Sequence, residues 1–97
     1  MIVRLTDQAK VDVTGIGDWI AADNPARAET FIDELVERSH SLAQHPRRFP
    51  VATYVNGEAI RKLTHADYLI FYSVGEQEVY ILRIVHGSRD WASHFGA

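Results

Sequence analysis

The chain has 97 residues, 46% of them hydrophobic and 24% charged, which is typical of a globular protein and predicts one domain, residues 1–97. It has no cysteine, which excludes a disulfide framework, and no apolar run approaches the roughly 20 residues that span a bilayer. Its formal charge of -3 lacks the basic surplus of a free-standing nucleic-acid binder. Since the N-terminus shows no signal-peptide pattern, we expect a cytoplasmic protein with no membrane partner.

The first half of the chain predicts one short strand and two helices. Ile2–Leu5 is β-prone, and Thr6 is a good N-cap for the helix that follows. Apolar residues recur there at helical spacing up to residue 20, with Asp12 off the apolar stripe. Asn24 and Pro25 predict the start of a second amphipathic helix, which has to end before the next proline. The two helices form a hairpin that can cover one face of a sheet.

The second half of the chain predicts three strands and contains a further strand candidate before them. Val51–Val55 and residues 58–63 flank the turn dipeptide Asn56-Gly57. Residues 68–74 and 79–86 are rich in Tyr, Phe, Val and Ile on both faces, which is typical of central strands that are covered on two sides. Strict alternation divides the last strand between one face with Val79, Ile81, Arg83 and Val85 and an opposite face with Tyr80, Leu82, Ile84 and His86.

The predicted order of elements is β-α-α-β-β-β, which belongs to the α+β class. An N-terminal helical hairpin packs on a curved, mostly antiparallel sheet. The helices cover one face of that sheet. The tail after Gly87 is the only segment left for the other face, and we expect a helical turn there through Trp91 and Phe95.

Histidines give the first candidate for chemistry. His86, Asp90 and His94 are four residues apart, so on a continuous helix they would share one face as metal ligands. Because Gly87 follows the strand directly, the spacing spans a junction, and no metal or cofactor is expected. The alternative is that Asp90 orients His86 or that both simply end the strand. His65 and His86 are also eligible for acid–base work, although neither has a partner positioned by the sequence.

A basic set in the sheet half gives the second candidate; its members are Arg61, Lys62, Arg83 and Arg89. Arg83 interrupts an apolar strand, so its charge has to be paired or reach a cleft. One interpretation is an ion pair with an acid of the same half, for which Glu58, Asp67 and Asp90 are the candidates. The other is a group that binds a phosphate or a partner's carboxylate on the sheet.

Five segments carry a resemblance that covers essentially the whole chain: LTDQAKVDVTGIGDWIA, DNPARAETFIDEL, LAQHPRRFP, IRKLTHADYLIFYSV and VYILRIVHGSRDW. In this order they resemble the RelE/ParE superfamily of toxins from type II toxin–antitoxin systems, and the ParE branch in particular. The resemblance implies the same fold, a helical hairpin on a curved antiparallel sheet. It also implies a plasmid or chromosomal stress module.

Two activities compete within that superfamily. ParE-like members poison DNA gyrase without a known hydrolytic site, whereas RelE-like members are ribosome-dependent mRNA endonucleases. The RelE-like alternative would make Arg61, Arg83 and His86 catalytic, with Lys62 as a further basic position and His94 as another candidate acid–base group. The tail has no tyrosine for that acid–base role, and the net charge is acidic. Both observations favour the gyrase poison, a binding protein rather than an enzyme.

The resemblance also implies partners and a target surface. The partners are DNA gyrase and a cognate antitoxin, whose C-terminal segment would lay an amphipathic helix, with or without a strand, on exposed apolar surface in a hetero-oligomer. A third alternative is a domain that binds antitoxin but has lost toxicity. Because Trp and Arg are enriched at hot spots, the predicted target-binding residues are Arg61, Lys62, Arg83, His86, Arg89 and Trp91.

Overall fold

The computed structural model describes residues 1–95, apart from the side chain of His94. It contains β1 (Ile2–Leu5), α1 (Asp7–Ala21), α2 (Pro25–His40), β2 (Val51–Val55), β3 (Glu58–His65), β4 (Tyr68–Val74), β5 (Glu78–His86) and short 3-10 turns at Ser41–Ala43 and Trp91–Phe95. Each predicted helix and strand is therefore present, and the strand candidate Val51–Val55 forms β2, so the order is β-α-α-β-β-β-β, with one strand more than predicted. β3 runs two residues further than predicted, and β5 begins one residue earlier.

The strands form one sheet in the order β1-β5-β4-β3-β2. β1 runs parallel to β5, and the other neighbouring strands are antiparallel. The predicted α+β class and the mostly antiparallel sheet are confirmed. The turn between β2 and β3 has positive φ at Asn56 (52°) and Gly57 (81°), the geometry of a two-residue type I′ hairpin that these residues favour.

Local capping fixes where both helices begin. At the start of α1, the Thr6 hydroxyl accepts the Ala9 N–H (3.2 Å). At the start of α2, the Asn24 side chain accepts the Arg27 N–H, and Pro25 occupies the first helical position. The helices approach closely at Gly17, where an added Cβ would lie 3.3 Å from a side-chain carbon of α2. Neither of these helices, nor any other in the part of the chain described, is long and apolar enough to cross a membrane.

The core is divided by the sheet into two apolar clusters. On the face that carries the helices, residues of α1 and α2 pack with Leu63, Ile70 and Tyr72 of the sheet. On the other face, which we call the tail face, Phe71 lies 5.0 Å from the ring of Trp91 and 5.1 Å from that of Phe95. The prediction that the tail covers this second face is confirmed.

A bulge in β5 changes which side chains share a face. Phe71 pairs with Arg83 and Tyr72 with Ile81, so Leu82 is an extra residue on β5. Ile84 consequently packs on the helix face together with Ile81. Leu82 and Val85 pack on the tail face. The strict alternation predicted for this strand is therefore wrong beyond Leu82.

Trp91 and Trp19 provide a matched test of the tail. We expect Trp91→Ala to lower the free energy of unfolding by about 3 kcal/mol, because it uncovers Phe71 on the sheet. Trp19 is 77% exposed, so Trp19→Ala should change that free energy by less than about 0.5 kcal/mol. Denaturant unfolding of both variants measures the difference. Equal effects would contradict a structural role for the tail.

Candidate functional site

The outer edge of β5 is paired by a strand along only part of its length. β1 covers β5 as far as Ile81, which pairs with Leu5. Thr6 extends this cover slightly, since its N–H donates to Ile81 O (3.0 Å) and its hydroxyl to Leu82 O (3.2 Å). Beyond Leu82, no strand in residues 1–95 lies on this side of β5. The rest of the edge needs other partners.

Asp12 of α1 fills the first gap along that edge. Its Oδ2 accepts the backbone N–H of Ile84 (2.9 Å) and the Nε–H of Arg83 (2.9 Å), while its Oδ1 accepts from Arg83 Nη2 (3.1 Å). The side chains of Asp12 and Arg83 are only 10% and 22% exposed. One carboxylate thus satisfies a strand N–H and neutralises a guanidinium in the bidentate geometry that arginine favours.

Two predictions need correction here. Arg83 does form an ion pair, but the partner is Asp12 rather than Glu58, Asp67 or Asp90. Asp12 lies over the sheet, although its position off the main apolar stripe of α1 predicted a solvent-facing side chain. The reason is the parallel pairing of β1 with β5, which brings α1 across the last strand. Sequence spacing does not reveal that pairing.

A groove of about 630 Å³ lies between α1 and the end of β5. One wall is apolar, with Val11 63% and Trp19 77% exposed. Between them on the helix is Gly15, where an added Cβ would have no atom within 4 Å. The full lining consists of Val11, Asp12, Gly15, Ile16, Trp19, Tyr68, Arg83, Ile84, Val85, His86, Ser88 and Arg89.

The floor of the groove presents backbone groups as well as side chains. Gly87 N–H donates to Asp67 O (2.7 Å), so residue 87 points towards the turn that precedes β4. Because successive residues of a strand point to opposite sides, His86 directs its N–H and C=O away from β4, as Ile84 does. The His86 C=O already accepts the N–H of Arg89 (3.1 Å), and a carboxylate of α1 already binds the Ile84 N–H, so the His86 N–H and the Ile84 C=O are the groups with which a neighbouring strand would pair.

His86 has a fixed orientation at the end of the groove. Its ring lies edge-on to Tyr68, with centroids 5.3 Å apart. Its Nδ1 accepts the N–H of Ser88 (3.1 Å) and lies 2.7 Å from the hydroxyl of the same residue. The neutral ring therefore carries its proton on Nε2. Ser88, rather than Asp90, orients this histidine. Burial raises the pKa of the Tyr68 hydroxyl.

The six residues predicted as one target surface lie in three places. Arg83, His86 and Arg89 line the groove. Lys62 and Trp91 lie on the tail face, with the Lys62 ammonium 5.8 Å from the ring centroid. Arg61 is separated from β5 by β4, and its guanidinium donates to the carbonyls of Arg47 (3.1 Å) and Phe49 (2.6 Å) in the loop before β2.

The remaining histidine candidates have local roles or lie outside the described residues. His65 Nε2 is 3.2 Å from a carboxylate oxygen of Glu34, which ties the end of β3 to α2. A hydrogen bond from Arg27 lowers the pKa of Glu34. The side chain of His94 is not described. Within the described part, no three His, Asp or Glu side chains converge in a way that could hold a metal ion.

The helical wall of the groove was missed from the sequence. Val11, Gly15 and Trp19 follow one another at four-residue spacing, so they form a second stripe beside the one that packs in the core. An exposed tryptophan aligned with a glycine is the signal that could have identified it. Arg83, at the other wall, was singled out because it interrupts an apolar strand.

Two solved structures share this fold. One is from the chromosomal ParDE toxin–antitoxin system of P. aeruginosa, with a TM-score of 0.77, 26% identity and coverage of 89% of this chain and 95% of that chain. The other is from the RelBE2 toxin–antitoxin complex of Mycobacterium tuberculosis, with a TM-score of 0.64, 22% identity and coverage of 88% and 95%. The architecture is thus that of small toxin–antitoxin proteins.

Sequence comparison gives the family. A model described as the ParE toxin of the type II toxin–antitoxin system parDE matches residues 3–91. Toxin RelE2 of Caulobacter vibrioides is 33% identical over 84 residues, which is 87% of this chain and 92% of that protein. The chain therefore belongs to the ParE family of type II toxin–antitoxin toxins, within the RelE/ParE superfamily that the sequence resembles.

Asp12→Ala should destabilise the fold more than any other single carboxylate removal on α1. It removes the carboxylate that accepts from both the Arg83 guanidinium and the Ile84 N–H, which we expect to cost roughly 3 kcal/mol. Asp18→Ala, on an exposed face of the same helix, is the matched control and should cost less than about 0.5 kcal/mol.

Denaturant unfolding compares the two variants. Combining Asp12→Ala with Arg83→Met should recover part of the loss, because the partly buried charge that Asp12 neutralises is then removed as well. A cost for Asp12→Ala as small as that for Asp18→Ala would show that the ion pair is not a structural element.

Proposed function

We propose that this chain is a toxin that poisons DNA gyrase by binding it, without a hydrolytic site of its own, and that an antitoxin segment in the groove neutralises it. The observation that carries the proposal is the dispersal of the basic side chains. The Arg61 guanidinium is held at the loop before β2, whereas that of Arg83 is paired with Asp12 in the groove. The basic residues that an RNA-cleaving site would need therefore do not converge.

The tail face supports the same interpretation. An mRNA endonuclease of the RelE type uses basic residues on the sheet together with an acid–base group. Here the tail face carries an apolar cluster centred on Phe71, and the tail packs over it. Lys62 lies over the ring of Trp91 on that face. Such a surface is suited to protein contact, because aromatic and arginine side chains dominate protein interfaces.

The groove is suited to an antitoxin segment. Its exposed apolar wall at Val11 and Trp19 would receive an amphipathic helix. Its β5 edge would receive a strand through the His86 N–H and the Ile84 C=O, and the exposed Arg89 beside it favours an acidic neighbour. The structural relatives come from toxin–antitoxin systems, which supports a partner of this kind.

Expression of the chain in a bacterial host separates the two activities. We expect DNA gyrase to be trapped covalently on cleaved DNA, because a poison holds the enzyme after strand breakage. Total mRNA should keep its 5′ ends at the normal positions. Recovery of gyrase–DNA adducts and sequencing of transcript ends measure the two effects in one culture.

The contrary results are distinct. Codon-positioned cuts in mRNA without gyrase adducts would replace this proposal by the endonuclease. Normal growth with neither effect would leave a domain that binds antitoxin and has lost toxicity. An empty-vector culture is the control for background DNA damage.

Gly15→Leu tests the groove without weakening the fold. Because an added side chain meets no atom within 4 Å, and glycine costs a helix up to about 1 kcal/mol, the variant should be as stable as the parent or more stable. It should nevertheless escape neutralisation by the product of the adjacent antitoxin gene. Co-expression and growth rate measure the escape.

Thr14→Leu is the matched control. It adds the same side chain one residue earlier on α1, at an exposed position outside the groove lining. We expect it to remain neutralised. If Gly15→Leu is neutralised as well, the antitoxin does not occupy the groove.

A further inference from the structure

Side chains of the sheet hold the loop between the helices and β2 in a fixed shape by hydrogen bonds to its carbonyls. We call residues 44–50 the arginine loop. Arg61 holds two of its carbonyls, and the buried hydroxyl of Tyr72 donates to a third, that of Pro46 (2.8 Å). Burial raises the pKa of Tyr72, so this donor keeps its proton. Since the carbonyls are engaged inwards, the loop is ordered before any partner arrives.

Cationic side chains cover the outside of the arginine loop. Arg47 and Arg48 are both exposed, and no carboxylate within residues 1–95 lies in ion-pair distance of either. Arg48 lies 5.5 Å from the ring centroid of Phe49, and Arg38 lies 6.0 Å from the same ring. The shared ring therefore holds two guanidinium groups near each other at the base of the loop.

The surrounding sequence is basic although the chain as a whole is acidic. Residues 38–62 contain five of the ten Lys and Arg residues but one of the thirteen Asp and Glu residues. Four of those five are arginines in the arginine loop or in contact with it. The acidic residues lie almost entirely elsewhere, so the positive potential at the loop is local.

We infer that the arginine loop binds the phosphate backbone of duplex DNA. Rigidly presented, unpaired guanidinium groups recognise phosphates, and such contacts carry no sequence information. The inference rests on the proposed function. Gyrase holds a DNA duplex while it is poisoned, so duplex DNA is the phosphate-bearing molecule that lies near the toxin. The loop itself presents charge rather than apolar surface to a partner, because Arg47 and Arg48 are exposed while Phe49 is half-buried.

Direct binding tests the inference without gyrase. The purified full chain is titrated into a fluorescent 20-base-pair duplex at several salt concentrations, and anisotropy gives the affinity. Two phosphate contacts predict a slope of about -2 for the logarithm of affinity against that of salt. Arg47→Glu should make the slope shallower by about 1 and weaken binding at low salt by about tenfold.

Lys10→Glu is the matched control, because it makes the same charge change at an exposed site on α1. It should bind DNA within about twofold of the parent, since only long-range charge changes. Equal losses for both variants would mean that net charge alone governs binding and would overturn the inference. An absence of salt-dependent binding by the parent would overturn it too.

Two competitors identify the polyanion. A single-stranded RNA of the same charge, or a polyglutamate peptide, that binds as tightly as the duplex would overturn the assignment to DNA. Trapping of gyrase in cells reports on the proposed function independently. If gyrase is trapped equally by the parent and by Arg47→Glu while the duplex is not bound, the proposed function stands and the arginine loop has no part in it.

Discussion

The contact between Asp12 and the last strand is the constraint on which the functional end of this protein depends. Asp12 supplies the hydrogen bond that a neighbouring strand would give to Ile84, and the same carboxylate neutralises Arg83. Partly buried ion pairs add little net stability, but they specify one arrangement because any other leaves a charge unpaired. The contact therefore fixes the distance between α1 and β5, and with it the width of the groove.

Local chemistry made most of the fold predictable from the sequence. Thr6 caps one helix, Asn24-Pro25 begins the next, and Asn56-Gly57 makes a tight hairpin turn, each through contacts within a few residues. The bulge at Leu82 could not be predicted in the same way. Its position is set by how β5 meets β4, and a shift of one residue moves every later side chain to the opposite face.

The sequence singled out several residues of the candidate site, but it did not reveal how they are arranged in space. Arg83 was correctly singled out because a charge in an apolar strand needs a partner. That partner is 71 residues away and lies on a helix, beyond the reach of spacing arguments. Arg61 illustrates a different limit, since its hydrogen bonds to the carbonyls of a loop whose own arginines face outwards have no signal in the sequence.

The position of β5 also determines when the protein can fold. β5 is the last strand of the chain, yet it lies inside the sheet, where Ile2 pairs with Glu78. Pairing of segments so distant along the chain delays folding, since a large loop has to close first. Until β5 has been translated, the chain lacks the strand that joins β1 to β4. The core and the groove along β5 are thus completed together, only after β5 has been made, so no earlier folding intermediate presents the groove.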